Sequence, residues 1–175
     1  GNHGVFMANT SNNTTYRNND SYRNYNSNFS AHTGSHTNVT VENNRAIEDS
    51  MILFNLDGAV IQNNVFTATA TTSARVYLGG GNSAITVDGN TFNGVRSPAI
   101  AIFDPGFGYG ANSNVTVTDN TINASVVTLT LTDIGLIDLR DTTGTNVVSG
   151  NTITIQSGTL GVNSVRGITL RGAMG

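Results

Sequence analysis

The stretch that decides the fold reads Asn38-Val-Thr-Val-Glu-Asn-Asn44, an alternating run that ends in asparagine. Alternation of Val39 and Val41 with polar residues is the period-two pattern of a half-buried strand. The pattern recurs as Gly58-Ala-Val-Ile-Gln-Asn-Asn64, Ala84-Ile-Thr-Val-Asp-Gly-Asn90, Asn114-Val-Thr-Val-Thr-Asp-Asn120 and Asn146-Val-Val-Ser-Gly-Asn151, with a weaker copy at Asn13-Thr-Thr-Tyr-Arg-Asn-Asn19. The final asparagine returns every 20 to 31 residues, a spacing that predicts a solenoid.

Two further apolar elements accompany each asparagine run. A short pair such as Val65-Phe66 or Thr91-Phe92 follows the asparagine, and a three-residue apolar element precedes the run. Each repeat therefore predicts one coil of three short strands. The chain as a whole predicts an all-β fold, a right-handed single-stranded parallel β-helix of about seven coils, which forms a single domain over residues 1–175. We expect the asparagines to lie in tight turns, tolerating the left-handed conformation, and to bond amide to amide from coil to coil.

Composition narrows the classes of function. Charged residues make up 11% of the chain, the net charge is −3, and every basic residue is an arginine. No basic stripe of the kind that binds nucleic acid is present. No apolar run approaches the roughly 18 residues of a membrane span, so membrane insertion is not expected either.

This organisation resembles the parallel β-helix repeat families, which include polysaccharide lyases, polygalacturonase-like hydrolases, alginate epimerases and phage tailspikes. The resemblance runs from Gly4 to about Leu170 and rests on the core positions and the asparagine turn. It implies a substrate groove along one outward strand face, where aromatic rings stack on sugars and arginines pair with uronate carboxylates. A β-sandwich is the competing fold, but it needs no asparagine in the same register six times.

The elements that precede the asparagine runs define the candidate face. The predicted inward pairs are Val5/Met7, Phe29/Ala31, Ile52/Phe54, Val76/Leu78, Ile100/Ile102, Ile137/Leu139 and Ile168/Leu170. The outward residues between them are then Phe6, Ser30, Leu53, Tyr77, Ala101, Asp138 and Thr169. The next outward positions are Ala8, His32, Asn55, Gly79, Phe103, Arg140 and Arg171. By the family likeness, the substrate-binding candidates on this face are His32, Arg75, Tyr77, Phe103 and Arg171.

A loop of unusual composition follows this face, Phe103-Asp-Pro-Gly-Phe-Gly-Tyr-Gly110. Glycine and proline predict a loop, and its aromatic residues distinguish it from a solvated linker. Phe107 and Tyr109 are predicted to contact a ligand, and the alternative is that they fold back onto the helix surface. The run Gly79-Gly-Gly-Asn82 is interpreted as a turn, because it precedes a strand and not a helix.

Candidate catalytic groups are few. Phe103-Asp-Pro resembles a stretch of mannuronan epimerases, which would place Asp104 in the substrate cleft, but Gly106 replaces the family's histidine and the chain has no lysine. The predicted catalytic residues are Asp104, Asp138 and Arg140, acting in lyase or hydrolase chemistry. Asp138 and Asp141 could alternatively hold Ca²⁺, or Asp138, Arg140 and Asp141 could form an ordinary surface ion pair.

Two hypotheses of function follow. In the first, a secreted or cell-surface β-helix binds, and in one version cleaves, a polysaccharide along the outward face. In the second, the chain is structural, an adhesin stalk or a subunit that stacks end to end. No polar caps are evident at either end, so we expect either a segment of a longer β-helix or self-association through the uncapped ends.

Overall fold

In the computed structural model, the chain forms three parallel β-sheets that wind around one continuous core. The structure describes residues 3–24, 27–31, 33–48, 50–69, 75–95, 98–104, 106–125, 135–156 and 166–172, and these ranges contain strands and turns but no helix. Every pairing between the described strands is parallel, and each strand pairs with the equivalent strand of a neighbouring coil. This confirms the predicted three-sided parallel β-helix.

Each sheet collects the equivalent strand from successive coils, except that the first coil contributes two short strands to sheet 2. Sheet 1 contains β1 (His3–Met7), β5 (Ser27–Ala31), β8 (Met51–Leu53), β11 (Val76–Leu78), β14 (Ile100–Ile102), β17 (Gly135–Arg140) and β20 (Arg166–Arg171). Sheet 2 contains β2 (Ser11–Asn12), β3 (Thr15–Arg17), β6 (His36–Glu42), β9 (Leu56–Gln62), β12 (Ser83–Asp88), β15 (Ser113–Thr118) and β18 (Val147–Ser149). Sheet 3 contains β4 (Asp20–Tyr22), β7 (Arg45–Ile47), β10 (Val65–Thr67), β13 (Thr91–Val95), β16 (Thr121–Ala124) and β19 (Thr152–Ile155).

The core consists of like residues stacked from coil to coil. Phe66 pairs with Phe92 in register, and their rings stack 4.9 Å apart at an angle of 8°. Ile85 lies between Ala59 and Val115 in the same way, and all three side chains are buried. Because alternate residues point inward, one apolar residue in two is enough to fill the interior.

The predicted inward and outward positions are correct along sheet 1 except in β8, where they are shifted by one residue. Met51 pairs with Val76 and Leu53 with Leu78, so these two side chains point inward and Ile52 points outward. Phe54, expected in the core, instead lies on the outer surface in a separate small cluster. Residues 51–54 are all apolar, so alternation alone does not fix their faces, and a slip of one residue exchanges them.

A ladder of asparagines connects the coils at the turn between sheets 2 and 3. The backbone N–H and the side-chain amide of Asn64 both donate to Oδ1 of Asn90 at 3.0 Å, and Asn90 donates to Asn120 in the same way. The side-chain amide of Asn90 also donates to the carbonyl of Ile61 at 2.8 Å. The complete ladder comprises Asn19, Asn44, Asn64, Asn90, Asn120 and Asn151. The predicted amide ladder is thus present.

The left-handed residue of this turn is the one before the ladder asparagine. The φ angle is 54° at Asn63, 59° at Gly89 and 52° at Asp119, whereas the ladder asparagines have negative φ. Asparagine, glycine and aspartate are the residues that tolerate this region best. The two adjacent positions therefore have different roles. The residue before the ladder asparagine turns the chain, and the asparagine itself bonds to the neighbouring coils.

A histidine is buried at the corner between sheets 1 and 2. The Nε2–H of His36 donates to the carbonyl of Thr33 at 3.1 Å, and its Nδ1 therefore accepts the hydroxyl hydrogen of Ser11 at 2.7 Å. Burial lowers the pKa of His36 from its ordinary value of 6.5, and the bond to Thr33 opposes this more weakly. The folded protein consequently favours the neutral imidazole.

We predict that replacing Asn90 by Asp destabilises the fold by about 2–4 kcal/mol. The carboxylate loses the hydrogens that reach Asn120 and Ile61 and introduces a buried charge. Urea unfolding measures the change. Asn114→Asp is the matched control, because Asn114 is exposed and its acceptor oxygen is kept, and its effect should stay within about 0.5 kcal/mol. Equal losses in both variants would contradict a special role for the ladder.

We also predict that the free energy of unfolding decreases as the pH is lowered from 7.5 to 5.5, and that His36 is one cause. Its folded pKa lies below its unfolded value, so the unfolded chain binds more protons as the pH falls below 6.5. The stabilisation that comes from keeping His36 neutral is therefore complete above pH 6.5 and is lost as the pH falls through the lower pKa of the folded state. Urea unfolding at pH 7.5 and pH 5.5 should give a smaller difference for His36→Gln than for the unaltered protein. An unchanged difference would rule out His36 as its source.

Candidate functional site

Five aromatic side chains gather on the outer surface of sheet 1 and the adjoining loop. We call Phe54, Tyr77, Phe103, Phe107 and Tyr109 the aromatic cluster. The ring of Phe54 lies 5.8 Å from that of Tyr77, 6.0 Å from that of Phe107 and 5.1 Å from that of Tyr109, between ring centroids. Tyr77 in turn lies 5.1 Å from Phe103. Three successive coils thus contribute to one apolar surface.

The cluster has a buried base and an exposed edge. Phe54 and Tyr77 are buried, whereas Phe107 is 71% exposed and Tyr109 is 40% exposed. Phe107 and Tyr109 therefore pack against Phe54, which agrees with the alternative prediction that they fold back onto the helix surface. Both side chains also remain exposed to solvent, and contact with a ligand stays a prediction.

Asp104 organises the loop that carries these two rings. Its Oδ1 accepts the backbone N–H groups of Gly106 at 2.9 Å and Phe107 at 3.2 Å, and its Oδ2 accepts that of Gly110 at 3.2 Å. The loop glycines Gly106 and Gly108 have φ angles of 91° and 82°, which residues with a Cβ rarely adopt. The carboxylate and the glycines together hold the loop in a compact turn.

The glycine run of residues 79–81 is the floor of this loop rather than only a turn. A Cβ at Gly79 would overlap the ring of Phe54, and one at Gly81 would lie 2.9 Å from the carbonyl oxygen of Tyr109. The backbone N–H of Gly81 also donates to the carbonyl of Gly110 at 2.9 Å. The missing side chains let the loop lie directly on the preceding coil.

Two arginines line the cluster. The guanidinium of Arg75 lies 5.3 Å from the ring centroid of Tyr77, and that of Arg140 lies 4.7 Å from the ring centroid of Phe103. Burial lowers the pKa of Arg75 and raises the pKa of Tyr77. For Tyr77, Arg75 and Arg140 oppose this rise while Asp104 adds to it. The cluster is therefore partly desolvated and surrounded by charge of both signs.

Asp138 lies at the edge of the cluster and is completely buried. Its Oδ2 accepts a hydrogen bond from Nε of Arg140 at 2.7 Å, and Nη2 of the same guanidinium forms an ion pair with it at 2.5 Å. Its Oδ1 has no partner among the residues that the structure describes. The predicted ion pair of Asp138 and Arg140 is present, in a buried setting.

The structure brings together most of the predicted site residues. Asp104, Asp138 and Arg140, the predicted catalytic set, lie on the same face, and Arg171 is in register with Arg140. The face also carries the predicted substrate-binding residues Arg75, Tyr77, Phe103, Phe107 and Tyr109. His32 lies outside the described residues. Phe54 was missed, because the sequence pattern assigned it to the core.

The carboxylates of this face are engaged by the protein itself. Asp104 accepts three backbone N–H groups and Asp138 is bound to Arg140. Asp141 is exposed, in a left-handed turn after β17. Within the described ranges, no three His, Asp or Glu side chains gather as metal ligands. The predicted calcium site at Asp138 and Asp141 therefore gains no third such ligand there.

We predict that Asp104→Ala loosens the loop without unfolding the helix. The backbone N–H groups of Gly106, Phe107 and Gly110 lose their acceptor in an exposed loop, where each bond contributes about 0.5–1.5 kcal/mol. Hydrogen exchange should be at least about tenfold faster at these amides, with the melting temperature nearly unchanged. Asp57→Ala is the control, because Asp57 bonds Ser83 on sheet 2 and not the loop. Unchanged exchange in Asp104→Ala would contradict the organising role.

Comparison of the chain with protein-family models, with curated proteins and with solved structures finds no match. None of the described segments is a helix long and apolar enough to cross a membrane.

Proposed function

We propose that this protein is a secreted or cell-surface β-helix that binds a polysaccharide along the outer face of sheet 1. The observation that carries the proposal is the aromatic cluster, with Phe107 and Tyr109 exposed above a buried base. Large exposed apolar groups supported by a rigid scaffold are typical of binding sites. Aromatic rings bordered by arginines suit a ligand that is apolar on its faces and polar at its edges, as a sugar ring is.

The shape of the face suits an extended ligand. Successive coils present side chains about 4.8 Å apart along the helix axis. Contacts to the aromatic cluster, to Arg140 and to Arg171 would therefore fall in a row. A linear polymer lying along the axis can reach all of them, whereas a small compact ligand can reach only one part.

Binding without cleavage is the version that the contacts favour. Acid–base cleavage needs two ionisable groups free to exchange protons with the substrate. Asp104 would have to release the loop and Asp138 would have to release Arg140 before either could act. Lyase or hydrolase chemistry by Asp104, Asp138 and Arg140 stays a prediction, which product analysis in the binding experiment tests.

A structural role is the second candidate. The asparagine ladder crosses six coils, and its hydrogen bonds repeat from each coil to the next. These bonds stiffen the helix whether or not it binds a ligand. A stalk or an end-to-end stacked subunit needs this rod and no exposed rings. The test of the first proposal is therefore whether the rings contribute to binding.

We predict that Phe107→Ala and Tyr109→Ala each weaken polysaccharide binding about tenfold, which corresponds to about 1.4 kcal/mol. Both changes should leave the unfolding temperature nearly unchanged, because these rings are exposed. A glycan array identifies the ligand, affinity electrophoresis measures the binding, and chromatography of the incubated polymer detects products. Tyr22→Ala is the matched control, because Tyr22 is an equally exposed ring on sheet 3.

Three results would change the conclusion. An equal loss in Tyr22→Ala would place the site elsewhere. Products that disappear in Asp104→Asn or Arg140→Gln would add catalysis to binding. No binding to any glycan, with filaments formed by the purified chain, would favour the structural role.

A further inference from the structure

The first coil, residues 3–24, is attached to the second by weaker apolar packing than the coils that follow. Within this range only Met7 is buried, and the inward residue of β4 is the polar Ser21. The inward residues of the first coil on the three sheets are Val5, Met7, Tyr16 and Ser21. The equivalent residues of the third coil, all buried, are Met51, Leu53, Ile61 and Phe66. The hydrophobic effect therefore holds the first coil less strongly than the third.

Two bidentate ion pairs cross the boundary between the first and second coils. The two oxygens of Asp20 accept hydrogen bonds from Nε of Arg45 at 3.2 Å and from Nη2 at 2.5 Å. Arg23 bonds the two oxygens of Glu48 in the same way, through Nε and Nη2. This paired geometry is the one in which an ion pair at the surface contributes to stability.

The charges on the two coils form a complementary pattern. Arg17 lies opposite Glu42 in the strand register, as Asp20 lies opposite Arg45. With Arg23 opposite Glu48, the first coil carries plus, minus and plus where the second carries minus, plus and minus. The residues of the third coil in register with Glu42 and Arg45 are the uncharged Gln62 and Val65. The pattern therefore does not continue to the next boundary.

Two histidine–serine contacts cross the same boundary. Nδ1 of His36 accepts the hydroxyl hydrogen of Ser11, and Nδ1 of His3 lies 2.7 Å from the hydroxyl oxygen of Ser27. The other groups that face the charges of this boundary are Gln62 at Glu42, Thr69 at Glu48, and Tyr22, whose ring lies 4.8 Å from the guanidinium of Arg23. Tyr16 packs inward against the core.

Acid weakens the attachment through three of these groups. The hydrogen bond from Arg45 lowers the pKa of Asp20 from 3.8, and that from Arg23 lowers the pKa of Glu48 from 4.5. Burial lowers the pKa of His36 from 6.5. A group whose pKa is lower in the folded protein contributes stability above its ordinary pKa and loses it as the pH falls through the folded pKa. All three contributions therefore decrease in the same direction, that of His36 first.

We propose that the first coil is an acid-sensitive element that detaches from the helix as a unit while the later coils stay folded. Stacked repeats contact only their neighbours, so one coil can open without the others. Detachment opens the edges of β5, β6 and β7, whose backbone groups can then pair with another strand. This device does not depend on the proposed binding of a glycan.

Hydrogen exchange of the whole chain measures detachment of the first coil. The backbone N–H of Asn18 donates to Glu42 across the boundary, and that of Asn63 donates to Asp88 between the third and fourth coils. From pH 7.5 to pH 4, the protection of Asn18 relative to its intrinsic exchange rate should fall at least about tenfold, and that of Asn63 should stay constant. An equal loss at both amides, or no loss at Asn18, would overturn the inference.

An exchange of charges tests the ion pairs at constant pH. Asp20→Arg places two guanidinium groups opposite each other and should lower the protection of Asn18 severalfold at pH 7.5. Adding Arg45→Asp restores opposite signs and should restore most of the protection. Asp57→Arg is the matched control, because the exposed Asp57 bonds Ser83 between the third and fourth coils, and it should leave Asn18 unchanged. A double variant as poorly protected as Asp20→Arg alone would overturn the inference.

Discussion

The constraint on which the structure depends is that a buried amide must have all its hydrogen bonds. Asn90 is completely buried, and its side chain can meet this demand only if an asparagine occupies the same position in the coils on either side. The two bonds that reach Oδ1 fix both the position of the neighbouring coil and its register. Since a buried polar group without a partner costs about 1–3 kcal/mol, a displaced coil would lose several such bonds together. Because the ladder fixes the register of the coils, it also aligns Phe66 with Phe92 in the core.

Because the ladder fixes the coils at one corner, extra residues can leave the helix at another. Only Phe54 and Asn55 separate β8 from β9, whereas residues 103–112 separate β14 from β15. The ladder bonds from Asn90 to Asn120 are still regular across this insertion. A loop can therefore be added beside the outer face without a change of register, and the aromatic cluster lies where that loop meets Phe54. Rigid repetition on one side of the coil is what permits variation on the other.

The sequence predicted the features that depend on the two-residue strand period and on the recurring asparagine. The strands, the inward pairs of six of the seven sheet 1 elements and the amide ladder follow from alternation and from the recurring asparagine. It could not fix the faces of residues 51–54, since four consecutive apolar residues satisfy either register, and Phe54 was therefore lost from the site. The sequence also did not predict that Gly79 and Gly81 make room for the ring of Phe54 and for the loop, because a glycine does not reveal which other part of the chain approaches it. Asp138 and Arg140 were identified as a pair from their proximity in the sequence, but the burial of Asp138 depends on the tertiary structure.

The exclusive use of arginine as the basic residue fits the way in which these cations are held. Arg75 stacks on Tyr77, Arg140 on Phe103 and Arg23 on Tyr22. A planar guanidinium can lie on a ring and keep its N–H groups directed outward in its own plane, whereas an ammonium group is compact and more strongly hydrated. Stacking thus fixes the cation before a ligand arrives, and less side-chain entropy remains to be lost on binding. At the aromatic cluster this effect is reinforced, because the Nε and Nη2 atoms of Arg140 contact the carboxylate of Asp138 while the guanidinium stacks on Phe103, so the cation is fixed from two sides.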